Sequence, residues 1–595
     1  MSEPALYLRA AEELRGNAGQ WAAYNAAGHC VVMAGPGSGK TKTLTIKMAR
    51  ILAEDVAQPR GVACITYNNE CARELEYRLD ALGVQRHNRV FIGTVHSFAL
   101  TQIVLPYAHT AQLGLAENFR VATQAQQFAA LQIAYERVID RGENPHTWQL
   151  TLDRYRRTVL NREADAWREQ DPEAAGLVEA YEAELRRNGL IDFDDMPLLA
   201  LRALRHHPWL RRAILAKYPV LVVDEYQDLG MALDRMVVGL CFSIGVRLFA
   251  VGDVDQSIYG FTGARPALLQ RLADRPDVET IHLRLNYRCG REIVTASQYA
   301  LGEDRGYEVP DGAAQGTVYF HPRPGNFGHH AEHLFADVLP DSLVRTDVPR
   351  GDVAILYQAA WIGDAVEEAA RQHGFETIRA DKNALYPRGS SLLRWLELCA
   401  VWCCGGWRSG KPRFRSLAGN GQRLFAEAVA SADDRLAFDR ALISALWTSR
   451  EPGETVHDWL GALRTALLGY YLARCRSLDE ESAVLGGFME RTGAGGDVDG
   501  MTLAQFASYG DGTDRINLST LHSAKGREFE IVVLFGMDGG RVPRRGAGAA
   551  ERRESRRSFY VGFTRAKQEL HIMHSDNNPS PFVQEVQERL QETGQ

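Results

Sequence analysis

The segment AGPGSGKT, from Ala34 to Thr41, decides the fold of this chain. It follows the apolar run His29–Ala34 and precedes a stretch with helical periodicity, which predicts a strand, a glycine-rich turn and a helix in succession. In that arrangement the backbone N–H groups and the positive end of the helix dipole face an anion. A chance glycine-rich turn is the alternative, and the flanking strand and helix argue against it. The segment therefore predicts a phosphate-binding loop.

Individual side chains of this loop have predicted roles in holding a nucleotide. Lys40 is expected to reach the β- and γ-phosphates of ATP, and the hydroxyl of Thr41 is expected to bind Mg²⁺. The other nucleotide-binding residues predicted in and after the loop are Gly35, Gly37, Ser38, Gly39 and Thr43.

A second segment, VLVVDEYQD from Val220 to Asp228, places two carboxylates after four apolar residues. Asp224, at the end of the predicted strand, can hold Mg²⁺ directly or through water. Glu225 is suited to orient and deprotonate an attacking water. A plain strand end is the alternative, and the upstream phosphate loop argues against it. The two segments together predict a nucleoside triphosphatase.

Ten apolar runs alternate with helical patterns along the chain, which predicts parallel sheets flanked by helices, an α/β fold. The predicted strands are His29–Ala34, Val62–Tyr67, Val90–Thr94, Val220–Val223, Arg247–Val251, Val318–Phe320, Val353–Tyr357, Ile516–Leu521, Ile531–Phe535 and Leu570–Met573.

Two mostly helical stretches interrupt the strands and are interpreted as inserts in two α/β lobes. The first lobe (1A) is predicted to comprise residues 1–99 and 191–280, and its insert (1B) residues 100–190. The second lobe (2A) is predicted to comprise residues 281–396 and 513–595, and its shortened insert (2B) residues 397–512.

The bulk composition excludes several classes of protein. A net charge of −7 argues against a basic nucleic-acid coat protein, although a motor needs only a basic groove. No apolar run approaches the roughly 20 residues of a membrane span, and the N-terminus does not resemble a signal peptide, so a cytoplasmic protein is expected. The cysteine cluster Cys399, Cys403 and Cys404 lacks a second pair at metal spacing and is interpreted as buried helical cysteines.

Nine further segments follow one another in a fixed order. They are GNAGQWAAYNAAG around Gln20, Ile65–Leu79, Gly93–Ala99, Leu190–Met196, Val251–Ala264, Leu283–Val294, Asp352–Gln358, Ile516–Met537 and Glu554–Lys567. With the two segments above, they resemble the motifs of UvrD/Rep-type superfamily 1A DNA helicases. That resemblance implies two RecA-like P-loop lobes, ATP and Mg²⁺ as cofactors, and 3′→5′ movement on single-stranded DNA with unwinding at duplex junctions.

The resemblance also implies roles for residues around the nucleotide. Gln20 and Tyr287 are expected to bind the adenine, and Glu528 the ribose hydroxyl. Gln256 is expected to sense the γ-phosphate from the first lobe. Two arginines, Arg288 and Arg565, are expected to meet the phosphates when the lobes close, because a guanidinium grips phosphate oxygens with fixed geometry. Outside these motifs, surface ion pairing would be the ordinary explanation for both arginines.

Single-stranded DNA is expected across the tops of both lobes, where aromatic faces stack on bases and polar groups hold phosphates. The matched DNA-binding candidates are Tyr67, Asn69, His96, Phe193, Tyr259, Phe261 and His522. Core filling is the alternative for each of the aromatic residues. The segment Trp407–Arg415 interleaves basic and aromatic residues, and a solvated loop is the favoured interpretation over a DNA contact.

Four positions depart from the family pattern. Glu70 and Gln358 stand where basic residues are usual, which is expected to weaken DNA grip or coupling. Cys289 replaces a Ser or Thr, and Arg527 replaces an apolar residue. The reduced second insert argues more strongly for translocation than for processive unwinding.

The alternative function is therefore a DNA-gated ATPase sensor, or a motor that displaces proteins from DNA and unwinds poorly. Such a protein would work with a separate effector, for example a repair factor or a nuclease.

Overall fold

The computed structural model describes residues 6–84, 89–162, 164–258, 260, 264–379, 385–387, 390–507 and 514–593, apart from the side chains of residues 69 and 70. Among these residues, no helix is both long and apolar enough to cross a membrane.

Fourteen strands are present in the described part of the chain. They are Cys30–Ala34 (β1), Val62–Thr66 (β2), Val90–Thr94 (β3), Arg120–Val121 (β4), Leu190–Ile191 (β5), Val220–Val223 (β6), Arg247–Gly252 (β7), Glu279–Leu283 (β8), Thr317–Arg323 (β9), Val353–Tyr357 (β10), Thr377–Arg379 (β11), Ile516–Thr520 (β12), Phe529–Leu534 (β13) and Ala566–Ser575 (β14). All ten predicted strands are confirmed. The strands that the sequence analysis missed are the short or edge strands β4, β5, β8 and β11.

The helices surround and connect these strands. Their bounds are Leu6–Glu12 (α1), Ala18–Asn25 (α2), Lys40–Arg50 (α3), Asn69–Ala81 (α4), Val95–Phe98 (α5), Leu105–Tyr107 (α6), Gln124–Val138 (α7), Gln149–Thr158 (α8), Ala166–Glu169 (α9), Pro172–Arg187 (α10), Asp195–His206 (α11), Pro208–Lys217 (α12), Met231–Phe242 (α13), Ala267–Ala273 (α14), Arg291–Leu301 (α15), Phe327–His333 (α16), Leu339–Thr346 (α17), Ala360–Gln372 (α18), Ser391–Val401 (α19), Trp407–Ser409 (α20), Phe414–Leu424 (α21), Ala432–Thr448 (α22), Val456–Leu463 (α23), Gly469–Leu472 (α24), Asp479–Thr492 (α25), Leu503–Ala507 (α26), Ala549–Phe563 (α27) and Pro581–Glu592 (α28).

The chain forms two compact units, of which the first contains residues 1–95, 204–384 and 513–595. This unit holds two six-stranded sheets, ordered β3-β2-β6-β7-β1-β8 and β11-β12-β10-β13-β14-β9. Every strand pair in both sheets is parallel. The central strands β1, β2, β6 and β10 are buried and consist almost entirely of apolar residues, as expected for strands covered on both faces. The expected α/β fold with two parallel-sheet lobes is confirmed.

Sheet order brings the predicted nucleotide residues together in the first lobe. Strand β7 lies between β1 and β6, with Val32 paired to Val251 and Val223 paired to Ala250. The carboxyl ends of these parallel strands therefore meet at one edge, which is where open α/β sheets bind ligands.

The second unit contains residues 96–203 and 385–512 and is mainly helical. One apolar core lies in the first stretch and includes Trp167 and Tyr181, and another lies in the second and includes Trp395 and Trp459. Cys399 and Cys403 are buried in that second core, as predicted, whereas Cys404 is only partly buried.

Three of the predicted domain boundaries fall inside elements of structure. The boundary at residue 280 divides β8, which pairs with β1, so the first lobe continues to Leu283. The boundary at 190 separates the two residues of β5, which pairs with β4 of the insert. The boundary at 396 cuts α19, whose side chains pack into the core of the second insert. Local sequence patterns do not contain these tertiary pairings, which explains the differences.

Candidate functional site

The glycine-rich turn between β1 and α3 is shaped by two glycines with left-handed backbone, Gly37 at φ 66° and Gly39 at φ 78°. A Cβ at Gly37 would lie 2.4 Å from Oδ1 of Asn286, and one at Gly39 would lie 2.6 Å from Nε2 of Gln20. Glycine is therefore required at both positions by backbone conformation and by close approach. The turn leads directly into the N-terminus of α3, which favours an anion.

Lys40 occupies the first turn of α3 with its Nζ buried and without a hydrogen-bond partner among the described residues. Its nearest carboxylate oxygen is Oε1 of Glu225, at 3.6 Å. Burial alone would lower the pKa of Lys40, but Glu225, Asp253 and Asp224 hold that pKa above its usual value. A buried ammonium that lacks hydrogen bonds is costly, and a phosphate would supply them. The hydroxyl of Thr43 is likewise buried and unpaired among the described residues.

The two acids after β6 differ in their electrostatics. Burial and the neighbouring Glu225 raise the pKa of Asp224 to about 7. Burial also acts to raise the pKa of Glu225, but Lys40 and Lys525 bring it down to about 2, so this carboxylate is ionised. The backbone of Glu225 is left-handed, with φ 52°, which strains a residue with a Cβ. Strain of this kind is common at functional sites, and Oε1 of this strained residue is the atom that lies 3.6 Å from Nζ of Lys40.

Gln256 and Arg565 join the two lobes. Gln256 donates from Nε2 to Oδ2 of Asp253 at 2.7 Å, and its Oε1 accepts from Nη2 of Arg565 at 3.2 Å. Arg565 also donates from Nη1 to the carbonyl of Arg527 at 3.1 Å. Burial, with Arg288 nearby, lowers the pKa of Arg565 to about 10, so the guanidinium stays charged, and it forms no ion pair with a carboxylate of the described residues. An anion in this cleft would compensate that charge.

Glu528, which was predicted to bind the ribose hydroxyl, forms an ion pair with Arg288 in the structure. Nη2 of Arg288 lies 2.6 Å from Oε1 of Glu528, and Nη1 donates to the carbonyl of Thr564 at 3.3 Å. The backbone N–H groups of Arg288 and Cys289 both donate to Oδ1 of Asn286. The ribose contact predicted for Glu528 would therefore compete with this ion pair.

The predicted adenine residues lie beside the turn. Gln20 is buried and donates from Nε2 to the carbonyl of Ser38 at 2.8 Å. Tyr287 is about half exposed, accepts a hydrogen bond from Nδ2 of Asn17 at 3.0 Å, and donates from its backbone N–H to Gly37 at 2.9 Å. The exposed tyrosine ring, held by Asn17 next to Gln20, offers a face for a planar base.

Two ion pairs between the lobes were not found by sequence reasoning. Nζ of Lys525 contacts Oδ2 of Asp228, and both side chains are buried. Arg305 grips Asp255 with two hydrogen bonds, of 2.8 and 2.9 Å. Lys525 and Asp228 do lie in motif segments where a charge could have been noticed. Arg305 lies in a loop without a motif, and only the packing of the two lobes against each other places it opposite Asp255.

The DNA candidates in the first unit lie at the carboxyl ends of their strands. Tyr67 follows β2 and His522 follows β12, and both are partly buried. Burial and the nearby Lys525 lower the pKa of His522, so the ring is neutral at pH 7. The candidates Tyr259 and Phe261 lie outside the described residues, as does the side chain of Asn69.

The remaining DNA candidates, His96 and Phe193, form a stacked pair in the second unit. Their ring centroids are 4.0 Å apart at an interplanar angle of 29°, and Phe193 is 43% exposed. The turn that carries Phe193 is held by the buried Arg156, which contacts Asp192 with both terminal nitrogens and Asp195 with one. Phe193 therefore projects from a rigid turn and does not fill a core.

The sequence of this chain is similar to known proteins. The family model described as the UvrD/REP helicase N-terminal domain matches residues 16–277, and that of the UvrD-like helicase C-terminal domain matches residues 501–577. The ATP-dependent DNA helicase Rep of Escherichia coli (strain K12) is 28% identical over 91% of this chain and 88% of its own length. The ATP-dependent DNA helicase PcrA of Staphylococcus aureus (strain MRSA252) is 26% identical over 95% of this chain and 85% of its own length.

Proposed function

Because the chain belongs to the UvrD-like helicase family, we propose that it is an ATP-dependent translocase that moves 3′→5′ on single-stranded DNA and separates duplex strands. The observation that carries this proposal is the cleft between the two lobes. One side of the cleft has a buried Lys40 beside Glu225, and the other has Arg565, which reaches across to Gln256. Hydrolysis that needs groups from both lobes is coupled to lobe movement.

ATP is the substrate that this cleft fits. Lys40 and the backbone N–H groups of the turn would hold its phosphates, and Tyr287 its adenine. Glu225 is ionised and would accept the proton of the attacking water. The guanidinium groups of Arg288 and Arg565 would stabilise the charge that develops on the transferred phosphoryl group.

The residues present also fit Mg²⁺, which such sites hold with one or two protein oxygens in addition to substrate phosphates. Thr41 and Asp224 would bind the ion. The raised pKa of Asp224 supports this role, because a buried carboxylate with too little positive charge nearby gains from a cation. When bound, Mg²⁺ would neutralise charge on the phosphate oxygens.

Coupling of ATP hydrolysis to DNA movement would use the same inter-lobe contacts. ATP would draw Arg288 and Arg565 toward the first lobe, and release of the products would remove that attraction. DNA contacts on the two lobes, among them Tyr67 and His522, would then alternate their grip on the strand. The duplex junction is the expected site of strand separation.

The test compares strand separation on a fork with a 3′ single-stranded tail and on one with a 5′ tail. Wild type is expected to unwind the first fork only, and Lys40→Ala is expected to be inactive. Lys42→Ala is the matched control, because its partly exposed ammonium pairs with Glu13 at 2.6 Å. Activity equal to wild type is expected for this control.

Three results would contradict parts of the proposal. No increase in ATPase rate upon addition of single-stranded DNA would reject the motor altogether. Unwinding of the 5′-tailed fork alone would reverse the polarity. DNA-stimulated ATPase activity without unwinding of either fork would favour the sensor or displacement alternative, and a search for a protein effector.

A further inference from the structure

An exposed aromatic side chain and an arginine stand together on the second lobe, outside the nucleotide cleft. Trp361, in the first turn of α18, is 56% exposed. The guanidinium carbon of Arg541 lies 5.2 Å from the centroid of the Trp361 ring and 4.8 Å from that of Phe327. Tryptophan and arginine are the residue types most enriched among the side chains that dominate binding energy, so an exposed pair of them is a candidate contact surface.

The strand order places this pair at the carboxyl edge of the second sheet. Trp361 follows β10 and Arg541 follows β13, which are adjacent strands, and Phe327 follows β9. His522, a predicted DNA residue, follows β12 on the other side of β10. Tyr357 pairs with Thr520 at the ends of β10 and β12, and neighbouring strands are about 4.8 Å apart. Trp361 and His522 therefore share one edge.

The nucleotide residues of this lobe lie at the opposite edge of the same sheet. Glu528 immediately precedes β13, and Arg565 immediately precedes β14. The two ends of the parallel strands therefore differ in the residue types that they present. The amino edge carries the predicted phosphate-binding arginine, and the carboxyl edge carries aromatic and basic side chains.

The loop that bears Arg541 is anchored, so the guanidinium is presented in a defined place. The next residue, Val542, is buried, and its carbonyl accepts a hydrogen bond from Ser580. The nearest carboxylate oxygen, on Asp538, is 4.0 Å from Nε of Arg541, and the other oxygen of Asp538 accepts from the backbone of Ser575. The Arg541 side chain remains 43% exposed and available to an anion.

We infer that Trp361 and Arg541 form a single-stranded DNA contact in which the indole stacks on a base and the guanidinium holds a phosphate. This inference rests on the proposed function and adds two residues to its DNA path. An aromatic face beside a cation is the combination that binds unpaired nucleotides without sequence preference.

The test measures binding of a fluorescein-labelled single-stranded oligothymidylate by anisotropy at several salt concentrations. Trp361→Ala is expected to weaken binding about fivefold to tenfold without changing the salt dependence, because stacking involves no counterion release. Trp361→Phe is expected to stay within about twofold of wild type, since it keeps an aromatic face. Arg541→Ala is expected to reduce the slope of log affinity against log salt by about 0.7.

Tyr470→Ala is the matched control, because Tyr470 is 57% exposed and Arg474 covers its ring at 3.6 Å, on the second insert. Wild-type affinity is expected for this variant. If wild type binds DNA, and Trp361→Ala and Arg541→Ala both bind it with the affinity and salt dependence of wild type, the inference is overturned while the proposed function stands. If wild type does not bind the oligonucleotide, the proposed function itself fails.

Discussion

The guanidinium of Arg565 in the second lobe donates a hydrogen bond to the side-chain carbonyl of Gln256 in the first lobe, over 3.2 Å. The amide of Gln256 is occupied on both sides, because its nitrogen donates to Asp253. Under the proposed function, the γ-phosphate of ATP would insert into this contact between the lobes. Nucleotide binding would then replace a hydrogen bond that joins the two lobes, and so change how the lobes are held together.

Loss of the Arg565 guanidinium should abolish efficient hydrolysis. Arg565→Ala is expected to lower kcat for DNA-stimulated ATP hydrolysis by about 10³-fold or more, because an arginine that stabilises transition-state charge contributes on that scale. Arg565→Lys should recover little, since an ammonium does not reproduce the planar fork. Arg544→Ala, which removes a largely exposed arginine paired with Glu551, should stay within about twofold of wild type. A fall of less than tenfold for Arg565→Ala would remove this residue from the catalytic set.

Arg305 should act through the turn that carries Gln256. Its two hydrogen bonds to Asp255 hold the residue next to Gln256, so Arg305→Lys is expected to lower kcat about tenfold through misplacement of the amide. The KM for ATP should change less than about twofold, because Arg305 is not among the predicted nucleotide-binding residues. Glu303→Gln, which removes the exposed partner of Arg305, is the control and should be silent. A rise in KM without a change in kcat would contradict this positioning role.

Removal of either Lys525 or Asp228 alone should destabilise the protein more than removal of both charges of this buried ion pair. Removal of one partner of a buried ion pair commonly costs about 3–5 kcal/mol, so Lys525→Met should lower the thermal unfolding midpoint clearly. The double variant Lys525→Met with Asp228→Asn should recover much of that loss, since no buried charge remains. Lys567→Met breaks a more exposed pair with Glu530 and should cost less than about 1 kcal/mol. Equal losses in the single and double variants would show that the charges are not coupled.

The partly buried ring of His96 should make stability depend on pH. Burial lowers the pKa of His96 from 6.5 to about 4. Between these values the unfolded chain binds a proton that the folded chain does not, so stability falls as pH decreases from about 6.5 to 4. Relative to His96→Asn, wild type should lose up to about 1.4 kcal/mol per pH unit in this window, measured by chemical unfolding at stepped pH.

The control for this titration is His109→Asn, which replaces an exposed histidine of the same insert. Its unfolding free energy should stay within about 0.5 kcal/mol of that of wild type, because substitutions of exposed side chains have small effects on stability. A constant difference between wild type and His96→Asn from pH 7 to pH 4 would show that the ring is not held in a neutral form.

The local segments of the chain were predictable because each carries its own signal. The turn from Gly35 to Gly39 follows from glycine spacing between a strand and a helix, and Asp224 follows from its place at the end of an apolar run. All ten predicted strands are present, and most of them are buried and apolar, although the edge strands β3 and β9 are only partly buried. Strand β8 was missed because it is an edge strand with alternating exposure, and β11 because it has only three residues.

The sequence by itself determined the phosphate-binding loop, the acidic strand end, the α/β class and the family. Only the tertiary structure decided which distant side chains meet, namely Arg305 with Asp255, Lys525 with Asp228 and Arg541 with Trp361. Sequence motifs predict local structure, because backbone dihedrals and burial repeat regularly along a strand or helix and so impose a pattern on neighbouring residues. Contacts across a cleft or a sheet edge depend on strand order and lobe closure, and these depend on the packing of the whole chain.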